Sequence, residues 1–271
     1  MKKTNILRMT ESAVMIALGA ILGLIKLVEL PYGGSVTIAS MLPVLIIAYR
    51  YGTLWGLFTG LVHGVLQFVM GSSVLSYVSG AASVAAVIVF DYILAFALVG
   101  LGGLFRKIKS PTLSLTLGAV IAGVARYICH VISGATVWAG LSVPTAGALV
   151  YSFSYNATYM IPETLVLALA AYYIGGLVDF RAPHIAPIKE RKEKGPRLSP
   201  VSLVFSLGAL CYDVIEVFSH LQNGESGEFD ITGIKNVPWT NVFAVTAAGI
   251  ILTVAVCLII NSIKRKKAAH S

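Results

Sequence analysis

Residues 126–163 read RYICHVISGATVWAGLSVPTAGALVYSFSYNATYMIPE, and this stretch decides the fold class. It consists of two apolar segments that each carry a few polar, ionisable or aromatic side chains, among them Arg126, His130, Trp138, Asn156 and Glu163. A polar or ionisable group inside a bilayer is costly, so it usually faces a cavity, a partner or a substrate. The stretch therefore predicts a membrane protein with an aromatic and acidic pocket for a small cation.

The composition of the whole chain agrees with a membrane protein. Of its 271 residues, 57% are hydrophobic and 12% are charged, whereas soluble domains carry roughly 25% charged residues. The mean hydropathy is +0.84. The net charge is +8, and the basic residues cluster between apolar runs, near 2–8, 106–109, 189–197 and 264–267. This is typical of cytoplasmic loops between membrane helices and argues against a nucleic-acid-binding face.

The apolar runs predict an all-α integral membrane protein with eight spanning helices. A span needs about 20 mostly apolar residues. The helices are predicted near 11–30, 38–50, 53–70, 80–105, 112–138, 148–178, 200–221 and 240–263, and the second of these is expected to be short. The N-terminal run is expected to stay as the first helix, since no small-x-small cleavage site follows it. The distribution of Lys and Arg predicts that both termini are cytoplasmic.

The predicted helices fall into three regions of the chain. Residues 1–180 form a six-helix substrate-binding membrane core. Residues 181–199 form a basic, proline-containing cytoplasmic linker, and residues 200–271 form a two-helix transmembrane appendix. The linker is polar and basic and contains Pro183, Pro187 and Pro196, which is why it marks the boundary.

Aromatic residues gather at the predicted outer junction of the fifth and sixth helices, namely Trp138, Tyr151, Tyr155 and Tyr159. Two interpretations remain open. The rings could form an interfacial belt at headgroup level, or they could form a cage for a cation, because ring faces attract positive charge most strongly when water is excluded.

The polar side chains near these rings also allow two interpretations. Arg126 and His130 are four residues apart and share a helix face. Interhelical hydrogen bonding is the simpler role for His130 and Asn156, but their clustering favours a ligand site. Asp91 lies roughly 22 Å along its helix from Arg106. It could pair with Arg126 or capture a ligand's donor groups or positive charge, and the second role is favoured. For Glu163, pairing with Arg126 is the predicted role.

Metal, cofactor and catalytic motifs give no support for enzymatic chemistry. Asp213, Glu216 and His220 share a helix face, but no second cluster completes a metal shell. The three cysteines lack metal-ligand spacing. The sequence contains no P-loop, HExxH pair or GxSxG elbow. We therefore expect no metal, no cofactor and no ATP hydrolysis by this chain itself.

One pattern resembles a known family. The run Arg126-Tyr127-x-x-His130-x-x-x-Gly134-x-x-x-Trp138, followed by Tyr151-Ser-x-x-Tyr155-Asn156, resembles the signature of the thiamine-specific membrane subunit of energy-coupling factor (ECF) transporters, the ThiT or YuaJ family. Asp91-Tyr92 matches the family's acidic-aromatic pair. The resemblance covers about residues 8–180.

The resemblance implies a fold and a function. It implies a six-helix substrate-binding (S) component in the bacterial cell membrane that captures thiamine with high affinity near its outer face. Transport would need a transmembrane coupling subunit and two separate ATPase subunits. No nucleic acid takes part.

The resemblance also implies roles for particular residues. Trp138 would stack on the thiazolium ring with His130 beside it. Asp91, Tyr151 and Asn156 would hold the pyrimidine end or the thiazolium side. Tyr92 would line the pocket.

Further implied features concern partners and a lid. Ala13-x-x-x-Ala17 resembles the family's contact with the coupling subunit. Tyr32 stands in the loop where the family usually has a lid tryptophan, so it is a possible lid residue. The appendix after residue 196 is absent from the usual six-helix subunit and has no assigned role.

Two other functions remain as alternatives. The first is an ion-gradient-driven secondary transporter of thiamine or a thiamine precursor. The second is a membrane enzyme acting on a lipid or isoprenoid, which is disfavoured because no catalytic constellation is present.

Overall fold

The structure is a computed structural model that describes residues 3–30, 33–140, 145–188, 200–221 and 230–269. The chain divides into two compact units, Met1–Ile188 and Lys189–Ser271. The helices described in the first unit are α1 (Lys3–Leu24), α2 (Leu42–Tyr51), α3 (Thr53–Gly71), α4 (Ala81–Phe105), α5 (Pro111–Gly140) and α6 (Thr145–Gly175). The helices described in the second unit are α7 (Pro200–His220) and α8 (Trp239–Ala269).

Most of these helices have the length and composition of membrane spans. Within the described ranges, six helices are long and apolar enough to cross a bilayer, namely α1, α3, α4, α5, α6 and α8. Helix α7, with 21 residues, is about 32 Å long and also reaches across a hydrocarbon core of roughly 30 Å. The predicted class, an all-α integral membrane protein, is confirmed.

Helix α2 departs from the predicted spans because it is too short. Its 10 residues extend about 15 Å, half the thickness of the hydrocarbon core. Seven consecutive residues, from Pro43 to Tyr49, are buried. Uniform burial explains why the sequence of α2 is apolar on all sides: it packs inside the first unit.

The segment between α1 and α2 is a β-hairpin instead of a helical extension. The prediction that the first helix continues to residue 30 is wrong, because α1 ends at Leu24 and β1 (Lys26–Glu29) pairs antiparallel with β2 (Ser35–Thr37). The charged side chains of Lys26 and Glu29 are exposed, and they interrupt the apolar run where the helix ends. A second small hairpin, β3 (Val178–Asp179) with β4 (Ala186–Pro187), follows α6.

Helix α3 packs closely against α4 through its glycines, as expected for a small-residue stripe. A Cβ atom on Gly60 would lie 2.3 Å from the carbonyl oxygen of Phe96, and one on Gly64 would lie 2.5 Å from that of Tyr92. Any side chain at these two positions would push α4 away. The glycines thus set the height and distance at which α4 presents its polar residues.

Helix α4 is irregular along its length. Residues Val87–Leu94 form a π-helical segment, and Leu98–Phe105 form a 3₁₀ segment. The wide turns of a π-helical segment often occur at functional sites. Asp91 and Tyr92 both lie in the π-helical segment.

Arg50, at the end of α2, joins several elements of the first unit. Arg50 forms an ion pair with Glu11 of α1, with 2.6 Å between Nε and Oε2. Its Nη1 also donates to the carbonyl oxygens of Phe180 and Ala182. This one buried side chain therefore connects α1, α2 and the segment after α6.

The two helices of the second unit are joined by polar contacts. Thr246 donates to Asp213, and the hydroxyls of Ser206 and Thr253 lie 2.6 Å apart. In the described part of the chain, no group of three His, Cys, Asp or Glu side chains could hold a metal ion. Asp213 thus serves in helix–helix contact.

Candidate functional site

The first unit encloses a cavity of about 410 Å³. Its walls come from the C-terminal end of α1, the β1–β2 hairpin and helices α3 to α6. Four residues predicted for the site line this cavity together: Asp91, Tyr92, His130 and Asn156. They come from three helices, so only the packing of α4, α5 and α6 brings them close.

Asp91 is held by two side chains of α5. His130 Nδ1 lies 2.8 Å from Oδ1 of Asp91, and the Ser133 hydroxyl donates to Oδ2 at 2.7 Å. The Asp91 side chain keeps 27% of its surface exposed. Nε2 of His130 is buried and has no hydrogen-bond partner within the described ranges. The arrangement presents an oriented carboxylate to whatever occupies the cavity and fixes the imidazole of His130 beside it.

Asn156 connects α5 with α6. Its amide nitrogen donates to the carbonyl oxygens of His130 and Ser152, and its amide oxygen accepts from the hydroxyl of Tyr159. Tyr159 in turn packs edge-on against His130, with 5.9 Å between ring centroids. Asn156 therefore orients the His130 and Tyr159 groups that surround it, in addition to lining the cavity.

Two tyrosines of α6 hold the β1–β2 hairpin over the cavity. Tyr155 and Tyr159 are buried and pack edge-on at 5.8 Å. The backbone N–H of Gly34 donates to the hydroxyl of Tyr155 at 3.2 Å. Because these rings are buried and line the cavity, they do not form an interfacial belt.

Glu163 binds the β1–β2 hairpin at Thr37. Its Oε2 accepts from the backbone N–H of Thr37 at 2.6 Å, and its Oε1 accepts from the Thr37 hydroxyl at 2.7 Å. The predicted pair between Glu163 and Arg126 is not found as a direct ion pair among the described residues, although the negative charge of Glu163 favours the nearby Arg126 cation. A strand inside a membrane protein needs partners for its backbone groups, and the carboxylate meets that need for Thr37.

Tyr92 is anchored at the edge of the cavity. Its hydroxyl donates to the carbonyl oxygen of Gly71 at 3.0 Å, and its ring packs edge-on against Phe68 at 5.3 Å. The contacts join α4 to the end of α3. The ring is thus a fixed part of the cavity wall.

The other predicted residues fall outside this group. Tyr151 is half-buried on α6 and is not among the residues that line the cavity. The side chain of Trp138 and the whole of Tyr32 lie outside the described residues, although their neighbours Val137 and Gly33 line the cavity. Ala13 and Ala17 are exposed on α1.

Two residues of the site were not identified from the sequence. Ser133, which binds Asp91, lies three residues after His130 on the same helix face, and that spacing is a usable signal. Thr37 carries no comparable signal, because its partner Glu163 is 126 residues away.

Comparison with known proteins places this architecture in a family. The family model described as "Thiamine transporter protein (Thia_YuaJ)" matches residues 9–177. The thiamine transporter ThiT of Bacillus subtilis is 33% identical over 177 residues, which cover 61% of this chain and 88% of that protein. The ThiT of Lacticaseibacillus paracasei is 26% identical over 183 residues, covering 62% and 81%.

A solved structure supports the same assignment. The structure described as native-SAD phasing for ThiT from Listeria monocytogenes aligns with a TM-score of 0.53 and 25% sequence identity, covering 64% of this chain and 95% of that one. The relatives bear the names of transporters and not of enzymes. The match over residues 9–177 and the shared fold lead to one conclusion: the chain belongs to the Thia_YuaJ thiamine transporter family.

Proposed function

We propose that this protein captures thiamine with high affinity as the S component of an ECF-type uptake transporter. The observation that carries the proposal is the cavity in which Asp91, oriented by His130 and Ser133, lies among the buried rings of α6. Thiamine combines a permanent positive charge with a flat heteroaromatic ring and hydrogen-bonding nitrogens. A carboxylate, an imidazole and aromatic rings are complementary to those features.

The coupling partners follow from the proposed role. A capture subunit without a nucleotide-binding motif needs a transmembrane coupling subunit and two ATPase subunits to move its ligand. The exposed small residues Ala13 and Ala17 on α1 offer a flat surface for close helix packing. We place both termini in the cytoplasm, because the basic clusters then lie inside. This orientation requires residues 35–51, which contain β2 and α2, to make one crossing together, since α2 alone is too short to span.

Titration of the purified protein with thiamine tests the capture function. Asp91→Asn keeps the shape and can still accept from Ser133, but it removes the negative charge. Because a hydrogen bond to a charged group contributes about 1.5–3 kcal/mol, we expect the Kd for thiamine to rise on the order of 10- to 100-fold. Calorimetry measures the change.

Asp213→Asn is the matched control, since Asp213 binds Thr246 in the second unit. It should leave the Kd unchanged. Equal thiamine affinity in wild type and a folded Asp91→Asn variant would contradict the proposed site. Uptake by the chain alone in proteoliposomes with an ion gradient would instead support a secondary transporter.

A further inference from the structure

Arg126 is a buried cation in the cavity wall and has no role in the thiamine site proposed above. The residue is 8% exposed and lines the cavity. Its guanidinium carbon lies 5.0 Å from the centroid of the Phe96 ring. Its Nε is buried without a hydrogen-bond partner in the part of the chain that the structure describes. An arginine remains charged in proteins and offers five donors.

Neither carboxylate of the cavity forms a direct ion pair with Arg126 in the described residues, although the charges of both favour the guanidinium, that of Glu163 more than that of Asp91. Both oxygens of Glu163 accept from Thr37, and the oxygens of Asp91 are bound by His130 and Ser133. A buried charge with unfilled donors is costly. The arrangement therefore indicates that an acceptor reaches Arg126 together with the ligand.

The position of Arg126 gives the cavity a direction. Arg126 lies four residues before His130 and seven before Ser133 on α5. At 1.5 Å per residue it is therefore about 6 Å and about 10 Å, respectively, nearer the N-terminal end of that helix. The Asp91 carboxylate lies at the level of His130 and Ser133. A ligand's cationic part is attracted toward Asp91 and repelled by Arg126, which leaves its neutral part beside the guanidinium.

We propose that Arg126 is a ligand-binding residue that donates hydrogen bonds to an uncharged acceptor atom of the bound molecule and thereby sets its orientation. The inference rests on the proposed function. In thiamine, the uncharged acceptors are the pyrimidine ring nitrogens and the side-chain hydroxyl. The separation of charges in the cavity favours a ring nitrogen, because the pyrimidine is the neutral end.

The test is a double-mutant-type cycle that changes Arg126 in the protein and the acceptor atom in the ligand. The dissociation constants are measured by calorimetry on the whole protein. The probes are thiamine, two analogues in which one pyrimidine nitrogen is replaced by C–H, and one analogue without the hydroxyl. Wild type should bind one of the nitrogen-replaced analogues on the order of 10- to 100-fold more weakly than thiamine. The affinity of Arg126→Gln for thiamine should be lower by a similar factor. This variant should bind thiamine and that nitrogen-replaced analogue with the same affinity.

Two further variants control for folding and for loss of charge. Arg126→Lys keeps a donor at this depth and should restore part of the discrimination, and it carries the test if Arg126→Gln does not fold. Arg181→Gln removes an arginine that lies outside the cavity lining and should bind all four ligands as wild type does. Thermal unfolding of each variant verifies that it is folded.

The outcomes separate this inference from the proposed function. No binding of thiamine by wild type overturns the proposed function. If wild type binds thiamine and a folded Arg126→Gln variant binds it with undiminished affinity, the inference alone is overturned. If only Arg126→Lys folds, the inference is overturned when wild type and this variant both fail to distinguish thiamine from all three analogues. A third outcome is that wild type prefers thiamine to the analogue without the hydroxyl and Arg126→Gln does not. This result supports the donor role of Arg126, with the hydroxyl of thiamine as the acceptor.

Discussion

Single residues in this protein act through the neighbours that orient them. Asp91 is presented by His130 and Ser133, and Asn156 uses both ends of its amide to hold α5 and Tyr159. Gly34 shows the same dependence without a side chain. A Cβ atom there would lie 2.8 Å from the hydroxyl oxygen of Tyr155 and 2.8 Å from Cδ1 of Tyr159.

Gly34→Ala is therefore expected to lift the hairpin from the two rings. Neither ring can move freely, because both are buried, and overpacking typically costs about 1–3 kcal/mol. We expect a lower unfolding temperature and a Kd for thiamine raised about 10-fold. Gly208→Ala is the control, because nothing lies within 4 Å of a Cβ there. Wild-type affinity and stability in Gly34→Ala would contradict the close contact between Gly34 and the rings of Tyr155 and Tyr159.

At the scale of elements, the β1–β2 hairpin is the part that closes the cavity. It is held at two points along α6, by Tyr155 at Gly34 and by Glu163 at Thr37. The hairpin also brings residues Gly33, Gly34, Ser35 and Thr37 into the cavity wall. A ligand inside the cavity would contact an element fastened through a few hydrogen bonds, so we expect the hairpin to act as the gate.

Thr37→Val tests this gate. The change keeps the backbone N–H that binds Glu163 and removes the hydroxyl that donates to its other oxygen. Loss of a hydrogen bond to a charged group costs about 1.5–3 kcal/mol, so thiamine should dissociate about 10-fold faster or more. Stopped-flow tryptophan fluorescence measures the rate.

Thr10→Val serves as the reference for Thr37→Val. Thr10 is exposed on α1, and its hydroxyl donates to the carbonyl oxygen of Ile6 within its own helix. The rate at which thiamine dissociates from Thr10→Val should match that of wild type. An unchanged rate in a folded Thr37→Val variant would remove the hairpin as the gate.

At the scale of the whole molecule, the proposed capture site and the proposed coupling face are different surfaces. The described cavity residues come from the first unit, whereas Ala13 and Ala17 are exposed on the outside of α1. A ligand enclosed by one surface can therefore be moved by a partner that binds the other. This separation allows binding and transport to be disrupted independently.

Ala13→Trp should abolish uptake without weakening capture. A bulky ring prevents close helix packing at a small-residue face, so ATP-driven thiamine uptake with the coupling and ATPase subunits should fall more than 10-fold while the calorimetric Kd stays unchanged. Ala85→Trp, at an exposed alanine of α4, should transport as wild type does. Normal uptake by Ala13→Trp would exclude this face of α1 as the docking site.

The sequence by itself determined the features that depend on local composition. Apolar runs of spanning length predicted the membrane class, and the motif from Arg126 to Asn156 identified the family. The chain also revealed which side chains carry the polar chemistry, because a buried His, Asn or Asp stands out in an apolar run. These properties are readable without knowing which helices touch.

Only the tertiary structure decided how those side chains are paired. Glu163 was expected to bind Arg126, yet it binds Thr37, and the first helix ends at Leu24 so that a strand can reach that carboxylate. Helix α2 has a membrane-like composition but is a short buried core helix. The physical reason is that hydrophobicity is a property of each segment. The partner of a buried charge, in contrast, is set by packing between segments more than a hundred residues apart.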